Sequence, residues 1–236
     1  MKQADSFQIL SGHEKENGVM RKRQLQDKAV FAVEQLKKEY PSAICSLGYE
    51  GDPWRLMIMG RLSAQCTDAR VNIVSEELFR SFPTAAAMAD GDLEQIERIV
   101  RPCGLYKMKA SQIKEESRML TEQFGGKMPD TMEQLLLFPG VGRKIANLIL
   151  GDIFHLPAVV TDTHCIRICG RLGFYPESLK DPGKVEKILS GIIEPGEQSD
   201  FCHRLVLFGR DVCQARSPKC ENCPLRSVCE HNSKRG

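Results

Sequence analysis

Two glycines in the run Phe138-Pro139-Gly140-Val141-Gly142-Arg143-Lys144 constrain this chain more than any other feature. Pro139 fixes its own φ and offers no N–H, while glycine tolerates a positive φ and lets another backbone approach, so the run reads as a tight, open turn. From Arg143 to Leu150 there is no helix breaker and apolar residues recur at helical spacing, so the turn feeds a helix N-terminus. Free N–H groups and the helix dipole at such a terminus favour an anion. Upstream, Thr131 to Leu137 reads as a short helix capped by Asp130 or Thr131. Helix, glycine hairpin and helix thus span residues 130 to 151. Such a device grips phosphates through the backbone around Gly140, Gly142 and Arg143 without reading base sequence.

Lys144 falls in the first turn of the second helix, where the positive end of the dipole disfavours its ammonium form and favours a nucleophilic amine. The same position suits a phosphate contact or a solvated charge. Asp162 follows the strand-like Ala158-Val159-Val160 and precedes a helical pattern from Cys165 to Arg171, so it is a helix N-cap or an acid placed for chemistry. In the tail, Cys213, Cys220, Cys223 and Cys229 have the spacing C-X6-C-X2-C-X5-C. Four thiolates gathered this closely suit a metal or an iron–sulfur cluster. Structural zinc sites usually offer two short cysteine pairs and this array has one, so a [4Fe–4S] cluster is favoured, with zinc as the rival. A chain of 236 residues without a signal peptide reads as intracellular, where thiols stay reduced, so disulfides rank below both. Cys45, Cys66, Cys103, Cys165, Cys169 and Cys202, outside the array, read as small buried hydrophobes.

Together these motifs closely resemble the endonuclease III family of DNA glycosylases with lyase activity. The resemblance covers roughly residues 45 to 231. It rests on Pro139 to Lys144, on Asp162-Thr163-His164 and on the four cysteines, with Leu62 to Asp68, Gly104-Leu105-Tyr106 and Lys109-Ala110 as further matching segments. It implies an all-α fold in which two helical domains flank a DNA-binding cleft. One is a six-helix bundle over residues 45 to 156 that contains the helix-hairpin-helix, and the other an iron–sulfur cluster domain made of residues 21 to 44 and 157 to 236.

The activity implied is base-excision repair of oxidised pyrimidines in damaged double-stranded DNA, by a monomer in the cytoplasm or nucleoid of a prokaryote. A damaged base is flipped from the duplex, and Lys144 attacks C1′ of its sugar to form a Schiff base whose β-elimination nicks the strand. Asp162 helps to deprotonate the lysine or stabilises the positive transition state. The cluster is then structural or electron-carrying. Arg216 and Lys219, between its first two cysteines, reach DNA phosphates or remain solvated loop charges. Gln65 and Leu105 look like the residues that enter the duplex as the base leaves, an amide for the orphaned base and an apolar wedge. A capping amide and helix-end packing are their alternatives.

The remaining sequence is consistent with this and narrows it. A hydrophobic share of 42% and a charged share of 27% allow a proper core, and the net charge of only +2 requires a local basic face rather than a global field for DNA. No apolar run approaches membrane length. Residues 1 to 20 are polar and without pattern, so a mobile tail is expected, followed by a helix from Arg23 to Tyr40. Further helices are expected over Trp54 to Gln65, Ala69 to Phe79, Thr84 to Ala89, Leu93 to Val100 and Lys107 to Phe124, with strand signals almost absent. Three positions depart from the family pattern: Phe138 for leucine, Thr161 for valine, and Arg61 in a usually apolar stretch. A charge at 61 facing the core would be unfavourable by several kcal/mol unless paired or able to snorkel, so it is expected to find a partner or to face DNA or a lesion pocket. A sister class that excises adenine opposite oxidised guanine carries a glutamate where this chain has Gly60 and lacks the lysine, as mismatch-thymine glycosylases of this fold usually do. Lys144 separates this chain from both.

Overall fold

A computed structural model describes residues 5–233, with side chains from Met20 onward. Among these residues the fold is all-α, with no strand. The helices are α1 (Asp5–Glu39), α2 (Pro53–Leu62), α3 (Asp68–Ser81), α4 (Ala85–Asp90), α5 (Leu93–Val100), α6 (Tyr106–Phe124), α7 (Met132–Leu135), α8 (Arg143–Asp152), α9 (Thr163–Leu172), α10 (Pro182–Ser190), α11 (Gln198–Asp211) and α12 (Glu230–Ser233). The chain divides into two compact units, residues 44–160 and residues 1–43 with 161–236.

Helix starts follow the local chemistry of the chain. Asp52, Thr67, Thr84, Asp92, Thr131, Asp162 and Asp181 each precede a helix in extended backbone and accept a first-turn N–H through the side chain. Each such cap stabilises its helix by about 1 kcal/mol. Pro53 and Pro182 stand at first helical positions, where a missing N–H is harmless.

In the 44–160 unit, α2 is buried almost all round, from Trp54 and Leu56 to Leu62, and forms the central helix. Each of these fully buried apolar side chains contributes about 1.5–3 kcal/mol. Trp54 Nε1 donates to Ser117 Oγ at 2.9 Å, and its ring lies 5.3 Å from that of Phe79. Helix α6 packs against α4 and α5 on one side and against α2 on another. Helix α8 closes on α2 at Gly60, where a Cβ would stand 3.3 Å from Ile145 Cγ2. A side chain at this position would therefore press on Ile145, the neighbour of Lys144.

In the other unit, α1 buries Ala29, Ala32, Val33 and Leu36 and packs on α11, which also packs on α9. Arg204, 4% exposed, donates to Glu197 at 3.0 Å and to Asp200 at 2.9 Å. Lys37 reaches the same Glu197 at 2.6 Å, and this pairing, with Arg204 behind it, holds the Glu197 carboxyl below the usual range.

The backbone departs from sequence expectation at two places. Helix α1 begins at Asp5 instead of Arg23. The expected tail over residues 1 to 20 falls on residues 1–4, outside the described residues, and on a helical backbone without described side chains through residue 19. Ala158, Val159 and Val160 are buried and extended but pair with no strand among the described residues, and they belong to the 44–160 unit. No helix among the described residues is long and apolar enough to cross a membrane.

Candidate functional site

The hairpin is held from below and open above. Phe138 is 2% exposed and stacks on Phe124 with centroids 5.2 Å apart, and Val141 is also buried, its N–H bonded to Phe138 O at 3.1 Å. Gly140 turns the chain at φ 81°. A Cβ there would lie 2.6 Å from Arg61 Nε and 3.0 Å from Gln112 Cδ, so glycine is required for space as well as for backbone conformation. Gly142 caps α8 without any side-chain bond, and nothing stands within 4 Å of where its Cβ would be. Gly142, Arg143 and Lys144 are exposed in sequence, so the α8 N-terminus presents backbone N–H groups and two cations together.

Arg61 turns inward beneath this turn. It is 7% exposed, and its Nε donates to Gln112 Oε1 at 2.6 Å. Of the alternatives its sequence position left open, the structure takes pairing. One turn along α6, Glu116 is fully buried with both carboxyl oxygens unpartnered among the described residues. Burial raises its pKa well above the ordinary value, with the Arg61 charge opposing.

Gln65 and Leu105 stand at a second turn region of the same unit. Both are exposed, and both occupy left-handed backbone, at φ 55° and 49°. Leu105 precedes the first residue of α6, and Gln65 follows the end of α2. Leu105 is not packed into a helix end: 51% of it faces solvent. Between the two loops lies Lys109, 0% exposed, whose Nζ donates to Leu62 O at 2.8 Å, Ala64 O at 2.7 Å and Cys103 O at 2.8 Å. Burial pulls its pKa below the lysine value, against the neighbouring Cys103 and Cys66. Burial, and then the Cys66 thiol hydrogen-bonded to it, push the Cys103 thiol up. Cys66 and Cys45 are only partly buried, unlike Cys103, Cys165, Cys169 and Cys202.

In the other unit, Asp162 caps α9, its Oδ1 accepting from Cys165 N–H at 2.7 Å. Cys213, Cys220, Cys223 and Cys229 line one pocket, whose apolar wall includes Ile168, Leu172, Phe208 and Leu225. Burial and then the neighbouring array cysteines push the Cys223 thiol up to about 11. Arg171, 8% exposed, donates to Cys213 Sγ at 3.3 Å and to Gln214 O and Ala215 O, each at 2.8 Å. Arg216 is exposed, and Lys219 lies 3.6 Å from Asp211.

Residues 58–195 match the model of HhH-GPD superfamily base excision DNA repair proteins, and residues 213–229 match that of the iron–sulfur binding domain of endonuclease III. Endonuclease III of Synechocystis sp. is 42% identical over 195 residues, 82% of this chain and 88% of that protein. The chain belongs to the endonuclease III family. A solved non-covalent endonuclease III–DNA complex superposes with a TM-score of 0.83 at 38% identity, covering 89% of this chain and 97% of that one. A trapped endonuclease III–DNA covalent intermediate, described as an estranged-adenine complex, gives 0.83 and 38% over 89% and 98%. As an endonuclease III the protein is a base-excision DNA glycosylase and abasic-site lyase that binds DNA and carries a [4Fe–4S] cluster. Cys213, Cys220, Cys223 and Cys229, which line one pocket within the matched segment, would hold that cluster, and it would tie the C-terminal loop together. Two residues around these sites escaped sequence reasoning. Lys109 was visible only as part of a family segment, and Arg171 only as the end of a helical pattern, because their partners are mainly backbone carbonyls, which have no sequence signature.

Proposed function

We propose that the protein excises oxidised pyrimidines from damaged double-stranded DNA and nicks the strand with Lys144 as nucleophile. The observation that carries this is the exposed Lys144 in the first turn of α8, directly behind a glycine hairpin whose helix has no side-chain cap. The hairpin at Gly140, Gly142 and Arg143 would hold the phosphates of the damaged strand, leaving the lysine amine beside the sugar. Nζ bonds to C1′ as the glycosidic bond breaks and the base departs with that electron pair. Ring opening gives the Schiff base, and loss of a C2′ proton expels the 3′ phosphate. Asp162 takes the lysine proton or stabilises the cationic sugar. Gln65 and Leu105 enter the vacated stack. Arg216 and Lys219 add phosphate contacts, Lys219 only by exchanging its exposed partner Asp211. The protein acts as a monomer, in the cytoplasm on nucleoid DNA.

Single-turnover cleavage of a duplex with one thymine glycol tests this. Wild type should nick it, and Lys144→Ala should not. Asp162→Asn should retain the α9 cap, with a melting temperature within about 2 °C of wild type, and lose at least about 100-fold in rate. An Asp162→Asn enzyme of normal rate would reduce Asp162 to a cap.

A further inference from the structure

Gln65 and Leu105 share an uncommon backbone state, and one side chain ties their loops together. An L residue in left-handed backbone is disfavoured by roughly 1–2 kcal/mol, and such strain persists only where the surroundings over-determine it. Lys109 is that surrounding. Its ammonium has three protons, and three carbonyls take them at 2.7–2.8 Å. Two belong to Leu62 and Ala64, at the end of α2 immediately before Gln65, and the third to Cys103, two residues before Leu105. The last carbonyls of a helix and of the short turn Arg101–Cys103 are thereby capped by one cation at the negative ends of both. Lys109 lies in the first turn of α6, its own N–H bonded to Leu105 O at 3.0 Å, so the loop carrying Leu105 is held from both sides. The contact between Cys66 and Cys103 joins the same two loops a second time.

We propose that Lys109 is a positioning residue for base extrusion: it fixes the Gln65 and Leu105 loops relative to each other so that both side chains are presented together to the duplex. Lys109 itself is wholly buried and touches no substrate. Its role rests on the reading of Gln65 and Leu105 as the residues that enter the stack. Extruding a stacked base needs both in register, whereas a sugar that already lacks its base leaves the stack with far less help.

Two substrates separate this from a general loss of structure. With Lys109→Met, single-turnover release of thymine glycol should fall about 100-fold, the scale of a misplaced positioning group. Nicking of a preformed abasic site should fall by less than about 3-fold, since Lys144 is untouched. Leu105→Ala should lose thymine glycol release to a similar degree, and on that substrate Lys109→Met with Leu105→Ala should be no worse than the weaker single variant. Equal losses on both substrates, or losses that multiply in the double variant, overturn the proposal. If Lys109→Met does not accumulate as folded protein, Lys109→Arg decides. A planar guanidinium keeps the charge but cannot aim three protons at three carbonyls around one point, so the same split should appear in smaller degree. Lys109→Arg with both rates at the wild-type level overturns it. A wild type inactive on both substrates defeats the reading of the site itself. Activity on both with Leu105→Ala unimpaired defeats only the wedge and its lysine.

Discussion

Two turns of the 44–160 unit use left-handed backbone in opposite ways. At the hairpin, Gly140 takes φ 81° without strain, because what faces outward there is backbone. At the second, Gln65 and Leu105 take φ 55° and 49°, because what faces outward is side chain and glycine would remove it. The strain avoided in one place is borne in the other, and the buried ammonium of Lys109 holds it. The supports differ too. Every proton of Lys109 has an acceptor, whereas behind the hairpin Arg61 is bonded to Gln112 and Glu116 lies buried with its carboxyl oxygens unpartnered among the described residues. A turn that works through its backbone can thus rest on an imperfect polar cluster, while one that works through side chains is fixed by a saturated one.

The sharpest way to break the contrast is Gly140→Ala. Left-handed strain and a Cβ 2.6 Å from the buried Arg61 should together destabilise the protein by about 3 kcal/mol in urea unfolding. Affinity for undamaged duplex should drop at least about tenfold, since the hairpin would re-form differently. A stable variant with normal affinity would show that Gly140 is not the constraint described. Next in size is Glu116→Gln. The folded pKa of Glu116 is raised above 4.5, so its stabilising contribution is whole below that pH and is lost as pH rises through the folded value. Glutamine mimics the protonated acid. The variant should melt with wild type near pH 4 and about 3–6 °C higher at pH 8, and an advantage at pH 4 that disappears at pH 8 would reverse the assignment. The smallest expected change in stability is at the other turn: Leu105→Gly should add about 0.5–1 kcal/mol by relieving left-handed strain, while base release collapses. Loss of both together would mean that Leu105 is a packing residue after all.

What was legible in the sequence follows the same division. Glycines announce a backbone turn, so the hairpin from residues 130 to 151 and the lysine behind it could be read directly. Cysteine spacing announced the cluster site for a similar reason, because its ligands lie close in the chain. Lys109 could not be read so, since its acceptors are carbonyls as far as 47 residues away and any residue supplies a carbonyl. Arg61 stands out in the sequence as a charge within an apolar helix, but its partner Gln112 is 51 residues distant and only the packing of α2 on α6 brings them together. Ala158 to Val160 read as a strand because β-branched residues favour extended backbone. Burial, not pairing, is what they supply. Helix α11 is a further element with a sequence signal, because Phe201, Leu205 and Phe208 repeat at helical spacing and all lie within the core.

Sodium borohydride trapping on a duplex containing thymine glycol, followed by peptide mapping of the adduct by mass spectrometry, tests the central assignment most directly. Reduction should fix one covalent enzyme–DNA species, with the modified peptide carrying its sugar remnant on Lys144, and Lys144→Ala should give none. No adduct on the damaged duplex, or a remnant mapped to another lysine such as Lys219, would contradict the assignment of the hairpin lysine as the nucleophile.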